Sequence, residues 1–274
     1  LVNVFGVVPY QHIWWKGNLR AIKEDLQKLG LEANIIFTEF SGLENLIKIP
    51  AAELNIVLSP WNGLRVAKKL QERFNTPFIT LPGVPVGPKQ TTRLIREVSQ
   101  ALYLPAEPVE ELIAREERHS YRFEEYFGDV MILAFPQPYF SVVADSGTAV
   151  GITQFLTNEV GYLPDKVIIA DGMPEENREM ILRELSENLE CIIKPDVIFE
   201  QDSHLIRENL KRGHSLVLLA SSLEWPIASE SGAIIHITVS FPSFNRLILD
   251  QNYAGYRGGL RLMEDIVSKY CGPL

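Results

Sequence analysis

Cysteine is scarce. The 274 residues hold two, Cys191 and Cys271, far apart and in no CxxC or Cys/His grouping. That excludes a disulfide framework and a metal site built from this chain's thiolates alone, since an iron–sulfur cluster takes about four. Cys191, beside Ile192 and Ile193, is expected to be a small core residue. Long apolar runs are missing too. None approaches the roughly 18–20 residues that cross a bilayer, and no basic stretch leads into an apolar core at the N-terminus. Positive charge is in deficit, 26 Lys and Arg against 35 Asp and Glu for a net charge of −9, which argues against a nucleic-acid groove. There is no GxGxxG after the first strand and no GxxxxGK[ST], so neither standard phosphate loop supports a nucleotide site. The expectation is a cytoplasmic protein with no membrane and no nucleic-acid partner. The chain opens without methionine, directly in an apolar strand, and is expected to be the later part of a longer polypeptide.

What is present is an alternation of strand and helix patterns, in a chain 46% hydrophobic and 22% charged. Strands are read at Val2–Val8, Ala33–Phe37, Leu54–Leu58 and Thr76–Leu81, with helices at Asn18–Leu29, Gly42–Ile49, Leu64–Phe74 and Gln90–Leu102. Pro105 and Pro108 break the series. The Glu- and Arg-rich stretch Val109–Tyr126 reads as a solvent-exposed connecting helix. A second series follows, with strands at Asp129–Phe135, Lys166–Ala170, Asp196–Glu200, Ser215–Ala220 and Ile234–Val239. Its helices are read at Gly147–Glu159, Pro174–Asn188, His204–Lys211 and Gly255–Tyr270. This order predicts an α/β protein of two Rossmann-like, doubly wound domains with parallel sheets, 1–106 and 129–274, joined by a connecting helix over 107–128. A cleft is expected where their strand ends face each other.

The stretch Leu54-Asn55-Ile56-Val57-Leu58-Ser59-Pro60-Trp61 organises the functional reading. Its near-continuous apolar run suits a strand covered on both faces, and Pro60 stops it, so Ser59 sits at the carboxyl end of a parallel strand. Ligands bind at that edge in open α/β sheets. Trp61 reads first as a core anchor and second as a stacking platform. Asp145-Ser146-Gly147-Thr148-Ala149 opens a helix and could hold an anion, but a capping role for Asp145 or Ser146 is the simpler reading. Asp171-Gly172-Met173-Pro174 reads as a turn and helix start. Among the histidines, His119, His204 and His214 read as surface or capping residues and His236 as a hydrogen-bonded core residue.

Val239-Ser240-Phe241-Pro242-Ser243-Phe244-Asn245-Arg246 leaves the last strand in an aromatic loop. Asp250-Gln251-Asn252-Tyr253-Ala254-Gly255-Tyr256-Arg257-Gly258-Gly259 then leads into the final helix. Together with Leu54 to Trp61, Val2-Asn3-Val4-Phe5-Gly6 and Gly17-Asn18-Leu19-Arg20, these segments resemble the nitrogenase component 1 (molybdenum-iron protein) superfamily, closest in character to its β-type subunit. The resemblance spans nearly the whole chain and matches the second and third of that family's three Rossmann-like domains.

The resemblance implies an oxidoreductase subunit acting in ATP-driven multi-electron reduction. It implies two partners: a homologous component 1-type subunit, giving a dimer, and a separate ATP-dependent iron–sulfur reductase. An iron–sulfur cluster or metallocofactor is implied for the full complex, and none for this chain alone. By the same resemblance, the α-type cysteine ligand of the iron–molybdenum cofactor falls at Ser59 and its histidine ligand at Ser240. A hydroxyl is a poor replacement for either on iron. The cluster-holding cysteines belong to the family's first domain. Ser59, Trp61 and Ser240 are therefore expected to face the cofactor cleft, with no metal ligand and no catalytic residue assigned. Two other readings stand beside this one: a non-catalytic scaffold for metallocluster or tetrapyrrole assembly, and a two-lobed solute-binding protein.

Overall fold

Strand β1 (Val2–Phe5) ends where Gly6 turns to a φ of 103°, a conformation that a side chain would disfavour. In the computed structural model, which describes residues 1–36, 41–134, 138–228 and 230–271, β1 leads through a loop to α1 (Trp15–Lys28) and then β2 (Ala33–Ile35). The short α2 (Leu43–Lys48) precedes β3 (Leu54–Val57), α3 (Leu64–Phe74), β4 (Phe78–Thr80) and α4 (Gly87–Ala101). These strands form one parallel sheet in the order β2-β1-β3-β4. Asn34, Asn3 and Asn55 lie in register across it, linked side chain to side chain at 2.8 Å each within an otherwise apolar interior.

Helix α5 (Ala106–Ala134) connects to the second half. Its backbone stays helical over 129–134, so the strand expected at 129–135 is not formed there, and Phe135 lies outside the described residues. A strand-length apolar run cannot be told from a helical one by periodicity, and Met131, Leu133 and Ala134 all favour helix. The sheet begins instead with β5 (Tyr139–Ala144), beyond the prolines at 136 and 138. After it come α6 (Ser146–Asn158), β6 (Leu163–Ile169), α7 (Glu175–Glu184), β7 (Asp196–Phe199) and α8 (Ser203–Lys211). β8 (Val217–Ala220), the single turn α9 (Trp225–Ala228), β9 (Ile235–Thr238) and α10 (Gly258–Cys271) complete the chain. The second sheet is parallel in the order β7-β6-β5-β8-β9. The chain is thus α/β with two parallel sheets, as its alternating pattern predicts.

Helix α6 joins the two halves. Asp145 caps it by accepting from the Thr148 amide at 3.1 Å, and from Ser146 to Thr157 every residue is buried, as befits a helix enclosed on all sides. Glycines make the approach possible. A Cβ on Gly83 would collide with the Gly147 carbonyl, one on Gly151 with the Val84 carbonyl, and ones on Gly87 and Gly259 with the Phe155 ring. The segment before α10 crosses back to the first half, where the Gly255 amide donates to the Pro85 carbonyl at 3.0 Å. Cys191 departs from expectation. It is only partly buried in the loop after α7, and its neighbour Ile192 is 99% exposed.

Candidate functional site

In each sheet the strand order reverses once, between β1 and β3 in the first and between β5 and β8 in the second. Adjacent strands there send their following segments to opposite faces, which opens a crevice at the carboxyl edge. In the first sheet the chain packs closely at that point. A Cβ on Gly6 would lie 2.8 Å from the Leu58 nitrogen and 3.0 Å from that of Ser59, so backbone packs on backbone. Ser59 is 2% exposed, and its Oγ accepts from the amides of Trp61 at 3.3 Å and Asn62 at 3.0 Å. It shapes the turn that carries Trp61.

In the second sheet the crevice is open, a cavity of about 310 Å³. Every strand of that sheet contributes to it from its carboxyl end: Asp145 after β5, Asp171 after β6, Gln201 after β7, Ser221 and Glu224 after β8, Ser240 and Phe241 after β9. Gln11, from the loop after β1, closes one side. Ser240 is buried and its Oγ donates to the Val143 carbonyl at 2.7 Å. Trp61 reaches the wall from behind. Its indole N–H donates to Asp171 Oδ2 at 3.1 Å and to Ser146 Oγ at 3.3 Å, and its ring packs on the second core. The structure therefore joins Trp61 and Ser240 to one cleft wall and places Ser59 one turn behind.

A buried relay runs beside this wall. Asn18 Oδ1 accepts from the amides of Tyr253 at 2.8 Å and Ala254 at 2.9 Å, which leaves its NH₂ facing His12 Nε2 at 2.6 Å. That ring nitrogen must accept, so Nδ1 carries the proton and donates to Thr148 Oγ1 at 2.8 Å, which donates in turn to Asp145 Oδ2 at 2.6 Å. Burial raises the affinity of the Asp145 carboxyl for a proton, but neighbouring His12 and the hydroxyl and amide of Thr148 outweigh it and hold the pKa below the ordinary value. No sequence signal marks His12. Asn18 falls inside a resembling segment without standing out, and Asp171 and Glu224 look like ordinary turn residues.

His236 is partly buried on β9, and its Nε2 donates to the Ser221 carbonyl at 2.9 Å. Desolvation lowers its pKa to about 4, and Lys269 adds to the shift against the opposing bond to Ser221. Arg246, Asp265 and Lys269 also face the cavity beside it. Because the folded form takes up its proton later than the unfolded one, whose pKa is about 6.5, stability falls as pH drops from about 6.5 to 4 and the loss is complete below that. The expected loss is about 2 kcal/mol after allowance for partial exposure. Urea titrations at pH 7.5 and 4.5 check it. His236→Gln, which retains a donor, should narrow the gap between the two pH values, and an unchanged gap would show that His236 does not set it.

Among the described residues no group of three or more His, Cys, Asp or Glu side chains is placed to hold a metal ion. None of the helices among them is long and apolar enough to cross a membrane.

Comparison with known proteins agrees with the fold. The chain is 23% identical over 241 residues to the B subunit of the light-independent protochlorophyllide reductase from Crocosphaera subtropica, covering 81% of this chain and 42% of that protein. It is 23% identical over 271 residues to the nitrogenase vanadium-iron protein beta chain of Trichormus variabilis, covering 92% and 57%. The solved structure of nitrogenase Cp1 at pH 6.5 superposes with a TM-score of 0.74 at 20% identity, over 98% of this chain and 59% of that one. The chain thus spans about half the length of the relatives it matches. Residues 1–270 match the family described as nitrogenase component 1 type oxidoreductase, with β-type and B subunits among the similar proteins, and the chain belongs to that family.

Proposed function

We propose that this chain is the β-type subunit of a cytoplasmic nitrogenase component 1-like oxidoreductase. It pairs with a homologous subunit and takes part in ATP-driven multi-electron reduction fed by a separate iron–sulfur reductase. Family membership across residues 1–270 supports the reaction class. The observation that carries the β-type assignment is the commitment of both hydroxyls at the resembling ligand positions. Ser59 Oγ receives two backbone amides and Ser240 Oγ is spent on the Val143 carbonyl. Neither is a soft donor, and neither is free to turn toward iron. The residues of this chain do not fit a metallocofactor, so we derive no step through one. Trp61 and Ser240 belong, on this reading, to the wall that faces the cofactor side of the complex without ligating it, and Ser59 supports that wall from one turn behind.

Anaerobic purification of the full chain alone and with its homologous subunit, followed by iron analysis and a reduction assay, tests this. The chain alone is expected to hold well under one iron atom, and the pair should turn over only with ATP and the reductase together. ATP-independent turnover would contradict the reading, as would stoichiometric iron on the isolated chain. A complex that forms and binds cluster but never turns over would favour an assembly scaffold.

A further inference from the structure

The open cleft of the second sheet contains more carboxylate than its surroundings neutralise. Asp145, Asp171 and Glu224 line it, and among the described residues no Lys, Arg or His side chain does. His12 lies 3.6 Å from Asp145, behind the wall, whereas Asp171 and Glu224 have no ion-pair partner among the described residues. Glu224 is 4% exposed. Its Oε2 is occupied by the amide and hydroxyl of Ser221 at 2.9 and 2.6 Å, and no donor among the described residues reaches its Oε1. Asp171 is partly buried and differs in its free oxygen. Its Oδ2 takes the Ser146 amide, the Ser146 hydroxyl and the Trp61 indole, while its Oδ1 is buried with no partner. Glu224 Oε1, on a side chain that lines the cleft, is thus left for a donor that a ligand brings, and Asp171 adds its charge beside it.

The chemistry of the missing donor can be narrowed. Three carboxylates in one cleft invite a divalent metal, yet these side chains do not converge as metal ligands do. Charge separated across about 310 Å³ suits a molecule with hydrogen-bond donors at a distance from one another. The remaining wall has the matching character. Leu223, Phe241 and Ile206 are apolar, and the carboxamides of Gln11 and Gln201 stand at the rim. We propose that this cleft binds a small organic cation, an amine or guanidinium compound. Its charged group meets Glu224 Oε1 in the field of Asp171, and its carbon skeleton rests on Leu223 and Phe241. The site does not depend on the redox reading, since it consists of this chain's own residues and is read by binding rather than turnover.

Isothermal titration of the full chain with 1,4-diaminobutane and with agmatine, against 1,4-butanediol and magnesium chloride as controls, tests the proposal. At least one of the two cations should bind saturably at one site and the diol should not. Glu224→Gln should weaken binding on the order of 10-fold or more, as loss of a buried charge pair does. Because Glu224 also holds Ser221, a second variant is needed. Leu223→Trp fills the cleft from a residue 51% exposed; it should abolish binding while leaving the melting temperature of the ligand-free protein unchanged. The proposal is overturned by absence of binding for both cations, by equal binding of the diol, by unchanged affinity in either variant, or by magnesium binding more tightly than either cation.

Discussion

Asn18→Leu is expected to cost about 4 kcal/mol, enough to remove much of the stability of an ordinary domain. Asn18 is 2% exposed, and its side chain partners three buried groups: the amides of Tyr253 and Ala254 through Oδ1, and His12 Nε2 through its NH₂. Leucine has the right bulk but leaves two backbone N–H groups with no acceptor, and each such orphan costs about 1–3 kcal/mol. The effect also spreads. Tyr253 stacks on Trp14 with ring centroids 4.1 Å apart, and His12 holds Thr148 at the start of α6. Asn18→Asp keeps the acceptor for both amides and should cost less, which separates their loss from that of the His12 contact. Urea denaturation gives the total, and hydrogen exchange at the Tyr253 and Ala254 amides gives its location. A loss below about 1 kcal/mol with unchanged exchange would mean that water replaces the asparagine without penalty.

Gly83→Val is expected to cost about 3 kcal/mol and to act on the seam between the two halves. The new side chain would drive into the Gly147 carbonyl, which is backbone and cannot swing aside. Its only relief is to move α6 away from the first sheet, and α6 is buried from Ser146 to Thr157. The Trp61 bonds to Ser146 and Asp171 would stretch with it. Gly30→Ala is the contrasting change. It meets no atom within 4 Å, and only the φ of 77° opposes it, so it should cost about 1 kcal/mol. Thermal unfolding of the two variants reads the difference. Equal effects would show that the seam yields easily, as in two lobes that open on a hinge. A seam this close, with glycine on glycine and glycine on Phe155, instead supports two halves that move as one body.

Much of the fold is legible in the residues. The alternation of apolar strand-length runs with 3.6-residue patterns placed eight of the nine strands among the described residues close to where they lie, because those runs are bounded by glycine and proline that act locally. The exception, 129–135, is apolar from Val130 onward and follows a helical pattern with no proline between them, so nothing local separates strand from helix there, and the backbone is helical over 129–134. The cleft shows the other limit. Its wall collects one to three residues from after each strand of the second sheet, and nothing local to Asp171, Glu224 or His12 announces that they come together.

By itself, then, the sequence determined that this is an α/β chain of two parallel sheets, that it carries too few thiolates for a cluster, and that hydroxyls stand at Ser59 and Ser240. Those are properties of composition and of local patterns, which act over a few residues. The tertiary structure alone decided how the chain packs at the two switch points. Gly6 packs on the backbone of Leu58 at the first, whereas the second holds a cavity of about 310 Å³ beside two carboxylates that have no ion-pair partner among the described residues. That outcome depends on how closely strands and loops far apart in the chain approach one another, a distance that no residue encodes alone.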